Sequence, residues 1–144
     1  LNDGIVPNTI STDIHMDNRR NMVFDLPTTL SKFLALGLGL EETIATATIN
    51  PAKTLGMEDA IGSLRPGMDA DVSILKENNG EWIFVDSLGK TIRGGITLTP
   101  SGAVREGKYI ESDPSTFLLA SDASDDGPMP VWKLRSPRTG SNSQ

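Results

Sequence analysis

The stretch "NTISTDIH", residues 8–15, is the place where the fold can first be read. Ile10 sits among Thr9, Ser11 and Thr12, a run of β-branched and hydroxyl-bearing side chains that predicts a strand ending at Asp13. The strand stops on a carboxylate, Asp13, and two residues later stands His15, the only histidine in the chain. Each has a plain structural reading: Asp13 can cap a turn or helix, and His15 can be an exposed loop residue. Each also has a functional reading. A hard carboxylate oxygen can ligate a divalent metal and can take a proton from water.

Helices are expected after the strand. Beyond a polar stretch, "MDNRRN", the segment "LPTTLSKFLALG" sets Leu30, Phe33 and Leu34 at helical spacing. Pro27 suits the first turn and Gly37 the end of that helix. A second helix begins near Leu40, with Glu41 and Glu42 at the positive end of its dipole and Ile44, Ala47 and Thr48 along one face. "NPAKTLG" predicts a short third helix, capped by Asn50, opened by Pro51 and stopped by Gly56.

Residues 57–111 change to a period of two. Val72 and Ile74 alternate in one strand, and "EWIFV" reads as another, entered through the turn "NNG". In "TIRGGITLT", Ile92, Gly94, Ile96 and Leu98 share one face, while Thr91, Arg93, Thr97 and Thr99 take the other. "AVREGKYI" is the last strand expected. Short strands between Gly and Asn turns predict a small antiparallel β domain with one wet face. Residues 112–144 are rich in Ser, Asp, Pro and Gly, and read as a disordered tail.

Composition excludes several classes of function. The chain has 144 residues with 13 Lys and Arg against 19 Asp and Glu, a net charge of -6. Phosphate binding needs a basic face, so nucleic acid and anionic membrane surfaces are poor partners. No apolar run reaches the roughly 20 residues of a spanning helix, and the first residues lack the basic and apolar regions of a signal peptide. There is no cysteine, hence no disulfide and no thiolate chemistry. The expected location is cytoplasmic.

Several motifs fail on inspection. "SLGKT" resembles the end of a phosphate-binding loop, but the glycine needed five residues before Gly89 is Phe84, leaving a turn between strands. "DASDDG", residues 122–127, opens like a calcium loop, yet its twelfth position is Lys133 where a bidentate Glu is needed. No Gly-x-Ser-x-Gly elbow occurs. A single histidine and no cysteine do not make a zinc site within this chain.

Asp13, at the C-terminal end of a strand with helices after it, stands where functional groups gather in a parallel β/α barrel. "NTISTDIH", "LPTTLSKFLALGLGLEETIATATINPAKTLGM" and "IGSLRPGMDADVSIL", in that order, resemble the C-terminal third of the amidohydrolase superfamily. The resemblance is to its dihydroorotase- and hydantoinase-like deacetylase branch, over about residues 5–110. It implies an α/β fold: the last strand and helices of a (β/α)8 metallohydrolase barrel in residues 1–56, part of a small β-sandwich in 57–111, and the tail in 112–144. It implies hydrolysis of a non-peptide amide C–N bond, deacetylase- or dihydroorotase-like, with a divalent metal, zinc. Asp13 would be both metal ligand and proton carrier, and His15 a substrate contact. Asp69 and Asp71 read as turn residues.

The family's His-x-His strand, bridging lysine or acid, and two later histidines have no counterpart in this chain. The chain by itself is therefore expected to be inactive and to bind no metal tightly. The expected partners are a small-molecule amide and, in a homo-oligomer, further copies of the chain. A second reading is a non-catalytic β module with a disordered interaction tail. A His-x-His strand encoded upstream of Leu1 would distinguish the first reading from the second.

Overall fold

Helix α1, Leu26–Ala35, starts where Asp25 can cap it: the carboxylate accepts the Thr28 N–H at 2.6 Å, and Pro27 lies in the first turn. Gly37, at φ 95, takes the left-handed turn after the helix. The computed structural model to which α1 belongs describes residues 4–15, 25–86 and 88–112, and the backbone of 131–133. Helices α2 (Leu40–Ala45) and α3 (Ile49–Leu55) come next, the latter closed by Gly56 in the left-handed region. The inward residues of α2 are Thr43 and Thr46, not the expected row of Ile44, Ala47 and Thr48. Thr46 can be buried because its hydroxyl donates to the Thr43 carbonyl at 2.6 Å.

Residues 56–71 are turns that lead from helix to sheet. At Gly62, φ is +88, and a Cβ there would lie 2.8 Å from the Ala52 Cβ and 2.9 Å from the Thr48 carbonyl. The "NPAKTLG" and "IGSLRPG" motifs are thus packed on one another, with glycine at the contact because nothing larger fits. Asp71 lies in the irregular stretch just before β1. Its carboxylate accepts the Glu106 N–H at 2.8 Å.

The strands are β1 (Val72–Val85), β2 (Thr91–Arg105), β3 (Lys108–Glu111) and β4 (Val131–Lys133), in the order β3-β2-β1-β4, each pair antiparallel. "NNG" is not a turn between two strands. β1 runs through it, and at Gly80 and Glu81 two residues face the single Gly95, which is a β-bulge. A second irregularity leaves Ser101 of β2 as the extra residue. The β1–β2 turn is organised by Asp86, whose carboxylate accepts the N–H groups of Leu88 and Lys90, each at 2.8 Å. The β2–β3 turn is Glu106-Gly107, with φ 49 and 75, the two positive values that a tight hairpin twist favours.

Two expectations change. Residues 5–13 form no strand. A strand exists only through ladder partners, and among the described residues none lies beside this segment. Of the tail, residues 131–133 pair with Trp82–Phe84 as an edge strand instead of being disordered, because β1 offers an open row of backbone groups there. Residues 113–130 and 134–144 of the tail lie outside the described residues. The four strands form a single antiparallel sheet, with α1 packed against β2.

Among the described residues, Leu30, Leu38, Ala52, Trp82, Phe84 and Leu98 are the buried apolar side chains. Helix and sheet approach closely at Gly94, where a Cβ would lie 2.9 Å from both the Ala35 Cβ and the Phe84 ring. Gly94→Ala is therefore expected to push α1 off β2 and to destabilise the protein by about 1–3 kcal/mol. Denaturant unfolding measures this, and a midpoint equal to wild type would show that the contact has slack.

Candidate functional site

Asp13 and His15 lie on one exposed segment outside any helix or strand. Asp13 has φ 47, the left-handed region, which Asp enters more readily than most residues. One hydrogen bond spans Asp13: the Thr12 hydroxyl accepts the Ile14 N–H at 3.3 Å. Farther back, the segment is tied to the helices. The Ile10 N–H donates to the Thr46 carbonyl at 3.0 Å. The Asn50 side-chain amide donates to the Asn8 carbonyl at 2.9 Å.

Asn50 was expected to cap α3. The cap position belongs to Thr48, and Asn50 lies inside the helix with its amide turned to Asn8. Sequence reasoning missed this contact because Asn before Pro is a strong local helix-start signal, whereas the acceptor lies 42 residues away.

Among the described residues no group of three or more His, Cys, Asp and Glu gathers as a metal site would require. Asp13 supplies one carboxylate and His15 one imidazole, a donor set too small to fit a divalent ion on its own. Among the described residues, also, no helix is long and apolar enough to cross a membrane.

Sequence and structure comparisons identify the lineage. A model of the Amidohydrolase family matches residues 1–108. A deacetylase of Enterococcus faecalis is 37% identical over 113 residues, 78% of this chain and 30% of the relative. An adenine deaminase crystal structure superposes with a TM-score of 0.72 at 31% identity, over 77% of this chain and 30% of that one. A dihydroorotase crystal structure does so with 0.69 at 30% identity, over 76% and 29%. The chain belongs to the amidohydrolase family, whose members are in general metal-dependent. It spans about a third of the length of the relatives it matches.

One charge near the helix–sheet contact is perturbed. Burial pushes the Lys32 ammonium below its ordinary value of 10.5, and the Asp86 carboxylate opposes this in part. A base with a lowered folded-state pKa binds its proton more weakly folded than unfolded. Lys32 therefore destabilises the fold at neutral pH, and the penalty fades as pH rises through the folded value towards 10.5. Lys32→Met is expected to raise the melting midpoint at about pH 7 and to lose that advantage by about pH 11. Thermal melts of both proteins across this range check it; an equal gain at both ends would rule out the charge as the cause.

Proposed function

We propose that this chain is a portion of a metal-dependent hydrolase that cleaves an amide C–N bond other than a peptide bond. The observation that carries the reading is the family match over residues 1–108, beside similarity to relatives named deacetylase over 78% of this chain and dihydroorotase over 61%. The remaining catalytic elements are supplied outside the aligned third of the enzyme. In the complete enzyme residues 5–13, which have no strand partner among the described residues, would gain neighbours as the last strand of a (β/α)8 barrel, and the sheet of β1 to β3 would form part of a small β-sandwich. The metal is zinc, and when bound it supplies water activation.

Asp13 is the residue on which the chemistry of this portion rests. Its carboxylate accepts a proton from the attacking water and returns it to the leaving nitrogen, which must depart as a neutral amine. His15, two residues on, contacts the substrate. The substrate is a small amide, the protein works in the cytoplasm, and it assembles with copies of itself. The chain alone, with one carboxylate and one imidazole at the site, does not turn over substrate. The alternative of a non-catalytic β module has no observation in its favour.

The test is Asp13→Asn in the complete hydrolase, with turnover followed as acetate release from an N-acetylated amine and as ring opening of a cyclic ureide. Asn keeps the size of Asp and removes its basicity, so kcat is expected to fall by about 10²- to 10⁴-fold at saturating metal. Near-normal turnover would remove Asp13 from the mechanism.

A further inference from the structure

We propose that Asn50 is a positioning residue for Asp13, acting through the segment that carries it. This rests on the reading of Asp13 as the proton carrier. Asn50 donates its side-chain amide to the Asn8 carbonyl at 2.9 Å, and the neighbouring Thr46 carbonyl accepts the Ile10 N–H at 3.0 Å. Two hydrogen bonds on alternate residues thus fix residues 8–10 to the junction of α2 and α3. Asp13 comes three residues later in its left-handed turn, under the Thr12-to-Ile14 bridge.

A purely structural role for Asn50 fits less well. Helix α3 is seated without it, through the contact of Ala52 with Gly62 and the bond from the Met57 N–H to the Ala52 carbonyl at 2.8 Å. Its first turn needs no cap from Asn50, which lies past the cap position. The side chain is only half-buried, so it contributes little to the core. What it holds is a carbonyl of the segment that leads to Asp13.

A general base must meet its proton at hydrogen-bond distance, so a segment that drifts by an ångström loses rate and not binding. The relation of Asn50 to Asp13 is therefore one of placement. Removing the amide donor leaves the carboxylate present but less often in position.

The experiment compares Asn50→Asp, Asn50→Ala and the neighbouring exposed Lys53→Ala in the complete hydrolase. Steady-state kinetics and amide hydrogen exchange are read on each. Asn50→Asp has the size of Asn but no donor for the Asn8 carbonyl. Both Asn50 variants are expected to lower kcat by up to about 10²-fold while KM stays within roughly threefold. Exchange at Ile10–Ile14 should speed by roughly fivefold or more, the scale of one lost hydrogen bond, with protection in β1 and β2 unchanged. Lys53→Ala should match wild type in both. Unchanged exchange at Ile10–Ile14, or faster exchange with wild-type kcat, overturns the proposal. So does a loss of protection across β1 and β2, which would make Asn50 a general packing residue. Full turnover by Asp13→Asn, together with faster exchange in Asn50→Asp, would place the error in the role of Asp13 and not in the anchor.

Discussion

Ser31 is the point on which helix and sheet agree. It is fully buried on α1, donates its hydroxyl to the Pro27 carbonyl at 2.7 Å and accepts the Leu98 N–H at 2.9 Å. The β2–β3 ladder covers only Gly102–Arg105, so the Leu98 N–H lies beyond it. A buried N–H left unpaired there would cost about 1–3 kcal/mol. One hydroxyl thus satisfies an N–H of β2 that β3 does not reach and ties α1 to β2, on the same helix whose Ala35 lies against Gly94. The apolar core is small, and polar side chains share its interior: Ser31, Thr43, Thr46 and Thr97 are all buried. Apolar burial supplies the drive to collapse, but it is non-directional. Alignment in this fold comes from the hydroxyls and from glycines whose missing Cβ allows close approach.

Signals within a few residues of each other were legible in the sequence. Pro27 and Gly37 bracket α1, Gly56 ends α3, and the Asp86–Lys90 turn joins two strands, because each of these depends on local backbone preference. The inward alternation of Ile92, Gly94, Ile96 and Leu98 was legible for the same reason, although Thr97, expected on the wet face, is buried beside Ser31. Features set by a distant partner were not legible. "NNG" carries a turn signature, and only its pairing with β2 makes it a bulge inside one long strand. Residues 131–133 have no strand signal beyond Val131 and Trp132, and acquire one from the open edge of β1. Residues 5–13 show the opposite case, strand-like composition without a ladder.

The candidate site was legible in its residue types and not in its support. Asp13 and His15 stand out because a carboxylate and the sole imidazole come after a strand-like run. Neither the left-handed turn at Asp13 nor the tie from Asn50 has a local signature. Asp at φ > 0 is an uncommon state that any polar loop sequence permits. The acceptor for Asn50 comes from a segment at the other end of the helical region.

Magnitudes explain why the support takes the form it does. Holding a non-glycine residue in the left-handed region costs on the order of 1–2 kcal/mol, with Asp among the residues that tolerate it best. A single exposed hydrogen bond contributes about 0.5–1.5 kcal/mol net. The two ties at Asn8 and Ile10 therefore match the strain at Asp13 without exceeding it by much. An anchor of that size leaves the global fold almost indifferent and still governs where one carboxylate spends its time. Placement of this kind is separable from stability, since the contacts that seat α1 and α3 share no side chain with those that hold residues 8–10.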